Sequence, residues 1–271
     1  MALLFDANGE SVNYGNAAGV NDIFKGTATA WFMLSALPAT QGHPLRILTK
    51  GNEWIILSTQ GINFFIAAID RATLDQTVNA DMANWAVGVV PNKPLFIAVT
   101  FDTGGADTDQ KIYIGDLDTP AAEPSAYTTQ RVGTGAVTSN AAKNMYAGNN
   151  PDVTTEHLGG WLGDLHLFPD VLLTRGQIVM HQAQTRLRVN RRLWTRFGEY
   201  GAGQQYDRSG NGHVGTVTGA TYARVPAFDD LFHVKRPRVF PGGLTVMDPS
   251  VLQRDDANVR TPRTPDHAVG Y

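Results

Sequence analysis

Hydrophobic and polar positions alternate most clearly over residues 161–168, Trp-Leu-Gly-Asp-Leu-His-Leu-Phe, where Leu165 and Leu167 interleave with Asp164 and His166. A period of two predicts a β-strand with one face in a core and a more polar face opposite. Gly159 and Gly160 before it and Pro169 after it punctuate both ends. Further strands are predicted over residues 11–14, 27–35, 45–49, 53–58, 62–69, 85–90, 95–101, 111–114 and 144–147. Turn formers separate them: Pro38, Gly42, Gly51, Gly61, Pro91-Asn-Lys-Pro94, Thr103-Gly-Gly105 and Asn149-Asn-Pro151. Many short strands at modest spacing predict a sandwich or barrel. One helix breaks the pattern. Thr174-Arg-Gly-Gln177 has the spacing of a capping box, and Val179, Ala183 and Leu187 then repeat every four residues. That predicts a helix over about 174–187, ending in the arginine-rich stretch 186–196.

Composition narrows the class. In 271 residues, 28 glycines and only 17% charged residues suit a turn-rich β protein large enough to bury a core. Cysteine is absent, which removes disulfides, thiolate metal sites and a cysteine nucleophile. Met1-Ala-Leu-Leu-Phe5 lacks the basic start of a secretory signal, and no apolar run is long enough to span a bilayer. No membrane association is therefore expected.

The charge is unevenly placed. Residues 1–170 carry 8 Lys/Arg against 17 Asp/Glu, a net −9, whereas residues 171–271 carry 14 against 8, a net +6. An acidic body with a basic end suits head-to-tail contact between copies; neutralisation within one folded chain is the plain alternative. From Pro226 onward, Lys235-Arg-Pro-Arg238, Pro241-Gly-Gly243, Pro249, Pro262 and Pro265 leave few residues for a core. The expected organisation is one sandwich over 1–225 and an extended C-terminal arm over 226–271, held by its own sandwich or, preferentially, by a neighbouring subunit.

Phe5-Asp6 followed by Ser11-Val-Asn-Tyr14, Thr27-Ala-Thr-Ala-Trp-Phe32, Pro94-Leu-Phe-Ile-Ala-Val-Thr-Phe-Asp102 with Lys111-Ile-Tyr-Ile-Gly115, and residues 160–168 with Leu173-Thr-Arg-Gly-Gln-Ile178 occur in a telling order. Together they resemble the concanavalin A-like lectin/glucanase superfamily, specifically its laminin-G-like branch, over about residues 5–185. The resemblance implies an all-β, two-sheet antiparallel jelly-roll sandwich with one short helix. One departure stands out. Asp207-Arg-Ser-Gly-Asn-Gly-His-Val-Gly-Thr216 resembles an element that precedes the opening segment in many relatives, yet here it follows the helix. Either it begins a truncated second unit or, as we prefer, residues 207–222 are a permuted strand element pairing beside the N-terminal strand. That arrangement resembles structural proteins of tailed bacteriophages.

The search for chemistry leaves little. A sandwich glycosidase needs two carboxylates about 5–9 Å apart across a groove, and no Glu-x-Asp-x-x-Glu strand is present. Gly-x-Ser-x-Gly, zinc-type histidine spacing and a phosphate-binding glycine loop are also missing. Calcium is the ion that the oxygen-rich loops suit, with Asp102, Asp107 and Asp109 as its first ligands, although Asp, Asn and Gly equally serve as turn formers. A sugar would stack on an exposed ring beside a carboxylate or amide. Trp85, Trp54 and Tyr127 are the candidates, Trp85 being the least obviously buried. Arg186, Arg188, Arg191, Arg192 and Arg196, with Lys235, Arg236 and Arg238, form the partner-binding candidates. With a pI near 6.1 and no recognition motif, nucleic acid is a poor match, and carboxylates of a neighbouring chain are a better one.

These features favour a non-enzymatic structural protein of a phage virion, a capsid decoration or cement protein docking through its basic C-terminal region. Its partners would be major capsid or tail proteins and further copies of itself. A carbohydrate-binding, lectin-like module recognising a surface glycan is the alternative, and a glycosidase the third reading.

Overall fold

The computed structural model describes residues 2–16, 18–50, 54–60, 63–103, 110–149, 151, 156–183, 187, 189, 191–199, 203–226, 228, 239–240 and 244–245. For residues 18, 54–60, 223, 239–240 and 244–245 only the backbone is described. The strands are β1 (Ala2–Phe5), β2 (Ser11–Gly15), β3 (Lys25–Leu34), β4 (Arg46–Lys50), β5 (Trp54–Gln60), β6 (Phe64–Ile69), β7 (Gln76–Asp81), β8 (Leu95–Asp102) and β9 (Lys111–Asp116). They continue as β10 (Thr129–Arg131), β11 (Met145–Ala147), β12 (Gly160–Pro169), β13 (Leu193–Arg196), β14 (Gln205–Tyr206), β15 (Val214–Thr218) and β16 (Thr221–Ala223). The helices are α1 (Pro38–Gln41) and α2 (Arg175–Gln182).

Among the described residues, seven strands form one antiparallel sheet in the order β16-β1-β12-β3-β8-β9, with β13 also on β12. Nine form the other, in the order β10-β7-β6-β5-β4-β11-β2-β15-β14. The two sheets face each other as an antiparallel β-sandwich, as expected. Period-two patterning explains the filling: Phe32 and Leu34 of β3, Ile97 and Val99 of β8, and Leu165 and Leu167 of β12 meet Val12, Ile47, Phe65 and Val78 from the opposite sheet. Each such fully buried side chain contributes about 1.5–3 kcal/mol relative to an exposed one.

The seven-stranded sheet is covered on its other side too. Trp31, Met33, Phe96, Ala98 and Phe168 project outward into a second cluster closed by Leu173, Ile178, Val179 and Phe228. The more polar face expected of β12 is therefore buried as deeply as its apolar one, and Asp164 and His166 lie inside. The capping box forms as its spacing predicts: Gln177 N–H donates to Thr174 Oγ1 at 3.3 Å, and Thr174 N–H to Gln177 Oε1 at 2.9 Å. The regular helix ends at Gln182, short of Leu187, and the Gln182 side chain turns against the end of β9. It accepts from Ala121 N–H at 2.6 Å and donates to Asp116 and Thr119 carbonyls at 2.7 and 2.8 Å.

Residues 85–90 are not a strand; they follow a 3₁₀ turn at Met82–Asn84 as irregular chain. Strands β1, β7, β10, β13 and β14 lie outside the predicted set. The 207–222 element pairs at the N-terminal end of the chain. Thr216–Thr218 run against Ser11–Asn13 in one sheet, and Thr221–Ala223 against Ala2–Leu4 in the other. Its glycines suit this path, since Gly210, Gly212 and Gly219 have φ of 91°, 78° and 71°. Val239–Phe240 and Leu244–Thr245 pair only with each other among the described residues. Most of the predicted arm, residues 246–271 included, lies outside them.

Candidate functional site

The predicted positions separate into three places. Asp102 ends β8 with its carboxylate 2.8 Å from Lys25 Nζ, an ion pair that answers its charge. Asp107 and Asp109 lie outside the described residues, among which no group of three or more His, Asp or Glu could hold a metal ion.

The rings expected to face a sugar are mostly occupied. Trp85 is only 5% exposed; its indole N–H donates to the Ala122 carbonyl at 3.0 Å, and its ring meets Phe65 edge-on at 5.6 Å. The irregular chain at 85–90 folds this ring inward instead of displaying it on a strand. Tyr127 is pinned as well: its hydroxyl accepts from Ile112 N–H at 3.0 Å, and burial pushes its pKa up. The Trp54 side chain lies outside the described residues.

Trp85 nevertheless forms one wall of a pocket of about 300 Å³, with Leu37, Met82 and Val87 as further walls and Asn63 and Asp81 among the lining residues. Backbone geometry sets those two polar groups. Asn63 takes the left-handed conformation, φ 61°, that starts β6. Asp81 caps the 3₁₀ turn, its Oδ1 accepting from Ala83 N–H at 2.8 Å, while the Met82 N–H donates to the Asn63 carbonyl at 2.9 Å. Asn63 Oδ1 accepts from Ala39 N–H at 3.0 Å. Among the described residues, Asp81 Oδ2 and Asn63 Nδ2 have no partner, leaving one acceptor and one donor for a guest. The pocket offers a single carboxylate.

Of the basic cluster, Arg186, Arg188, Lys235, Arg236 and Arg238 lie outside the described residues. Arg191, Arg192 and Arg196 do not continue the helix; they flank and join β13. There Leu193 faces the inter-sheet core and Trp194 the opposite side, over β12. Pattern reading passed over what this creates. Asp164 accepts from His166 Nε2 at 2.9 Å and from Trp194 Nε1 at 3.1 Å. His166 lies parallel to Phe168 and nearly parallel to Trp194, and its ring meets His181 edge-on at 4.3 Å; His181 Nε2 lies 3.0 Å from Thr29 Oγ1. Burial drives both imidazoles below the ordinary histidine pKa, with Asp164 pulling His166 partly back. An Asp–His pair is the wiring of a general base, but this ring is 4% exposed and walled by three aromatic side chains. It is a packing element. The one signal that pointed to it was the Asp-x-His alternation itself.

No protein-family model and no curated protein matches this chain. Among solved structures, it is similar to a heptameric SAP-like pentraxin from Limulus polyphemus, at 9% identity and TM-score 0.39, over 66% of this chain and 80% of that one. It is also similar to the CBM40 of a Ruminococcus gnavus IT-sialidase, solved with alpha2,6 sialyllactose, at 13% identity and TM-score 0.41, over 66% of this chain and 95% of that one.

Proposed function

We propose that this chain is a non-catalytic, lectin-like module that binds a neutral carbohydrate in the pocket beside Trp85. The supporting observation is the pairing of apolar walls with one free carboxylate oxygen and one free amide at a single pocket. Adjacent sugar hydroxyls both donate and accept, so Asp81 Oδ2 and Asn63 Nδ2 match them, while C–H faces pack on Leu37, Met82 and Trp85. Glycoside hydrolysis would require a second carboxylate opposite the first, and the lining supplies only Asp81.

A glycan array followed by calorimetry on the hits tests this. Asp81→Asn retains the Oδ1 that caps the turn and replaces the free acceptor with a donor, so affinity should fall about tenfold or more with melting unchanged. Asn63→Ala should act in the same direction. Failure of every neutral glycan to bind, or binding that survives both substitutions, would overturn the reading.

The split of charge, −9 against +6, favours a second reading: a laminin-G-like structural component of a phage particle, attached through its basic end. Replacing Lys235, Arg236 and Arg238 together with alanine should abolish particle binding. Unchanged binding would remove that reading.

A further inference from the structure

Another cavity of about 300 Å³ opens beside Trp194. Three separate stretches of chain build it: Leu187 and Val189 after the helix, Arg191 and Trp194 around β13, and Arg208, Ser209 and Asn211 from the permuted element. None of these lining residues is acidic. The Arg191 guanidinium carbon lies 4.7 Å from the centre of the Trp194 ring and that of Arg208 lies 5.2 Å away, so two cations converge on one indole.

The loop is built to hold this arrangement. Asp207 is turned into the loop, accepting from Trp194 N–H at 3.0 Å, Ser209 N–H at 2.8 Å and the Ser209 hydroxyl at 2.7 Å. Asp164 is likewise engaged by His166 and Trp194. Asn211 Nδ2 ties the loop to the Arg191 and Arg192 carbonyls at 2.9 and 3.1 Å. Arg208 gives one Nη to Glu199 and, among the described residues, makes no other hydrogen bond, so the rest of its donor fork is left at the cavity.

We propose that this cavity binds a small ligand bearing an oxyanion, a carboxylate or a phosphate ester, with Arg191 and Arg208 on the anion and Leu187, Val189 and Trp194 against its apolar part. A guanidinium fork matches either anion with two parallel hydrogen bonds. The proposal is independent of the Trp85 pocket, which has no cation in its lining.

Calorimetry on the full chain with inorganic phosphate and with glucuronate, and glucose as the uncharged control, tests it at low ionic strength. At least one anion should bind and glucose should leave its affinity unaltered. Arg208→Gln should weaken that binding about tenfold or more, and Arg208→Lys should restore only part of it. Asp81→Asn should leave it unchanged, which separates this site from the sugar pocket. A response to phosphate alone assigns phosphate esters, and one to glucuronate alone assigns carboxylates. The Trp194 indole N–H resonance should shift on titration, a readout available in the unsubstituted protein should a variant fail to fold. Silence with both anions, or binding that Arg208→Gln leaves intact, sinks the proposal.

Discussion

The two faces of the seven-stranded sheet solve burial in different ways. Toward the other sheet, β12 presents Leu162, Leu165 and Leu167 to an aliphatic and aromatic core. Toward α2, the same strand presents Asp164 and His166, whose hydrogen bonds come from neighbouring side chains because water is excluded there. One face of β12 is held by volume; the other, set within the second apolar cluster, needs partners as well. Volume is forgiving of sequence as long as packing density is kept, whereas a partner set is specific to its atoms.

The sharpest way to break this contrast is on the volume side. Leu165→Ala leaves a cavity between the sheets and should cost about 2–5 kcal/mol in urea unfolding. A loss below about 1 kcal/mol would mean that the sheets close over the gap, contrary to a rigid inter-sheet core.

Of the two faces, acid should act on the partner side. Both His166 and His181 have folded-state pKa values below the 6.5 of the free side chain, chiefly through burial. Below pH 6.5 the unfolded chain takes up protons that the folded chain refuses, so stability falls as pH drops through that window and is unaffected by these groups well above it. The groups facing the pair are Asp164, two residues before His166 on β12, Thr29 on β3, Arg191 before β13 and Arg196 at its end. His181→Phe removes one of the two titrating rings, so its melting temperature should change less between pH 7 and pH 5 than that of the unsubstituted protein. Equal slopes would place the acid sensitivity elsewhere.

Asp164→Ala comes next in size. It strands the donors of His166 Nε2 and Trp194 Nε1 in a dry interior, at about 1–3 kcal/mol. Because Trp194 also walls the anion cavity, its indole resonance should broaden in this variant, whereas Leu165→Ala should leave it sharp.

What the chain discloses before folding follows the same division. Strand positions in β3, β8 and β12 are legible because apolar residues repeat at two, and α2 because its cap and stripe are local. The inward turn of Trp85 is not legible. Residues 85–90 read as a strand, while in the fold Asp81 Oδ1 captures Ala83 N–H and tips the chain before them into a 3₁₀ turn. The Trp194 cavity is illegible for another reason. Its arginines come from residues 191 and 208, and only the pairing of β13 with β12 and of β15 with β2 brings them together. The Asp-x-Ser-Gly-Asn-Gly stretch signals a turn, and Asp207 indeed serves one, but nothing local says which side chains the turn will aim at a partner.

The smallest effect separates the faces most cleanly. Thr174 touches neither core; its hydroxyl holds only the first turn of α2, and Gln177 returns the bond. Thr174→Ala should cost about 1 kcal/mol of helix stability. Since α2 covers the polar face and not the aliphatic one, the loss should be local. Amide exchange should quicken at residues 175–182, where the helix frays, and remain slow at Leu165 and Leu167, whose amides belong to the sheet ladder. If exchange quickened equally in the strand, the helix and the sheet would be opening as one unit, and the two faces of β12 would not be separable layers of stability at all.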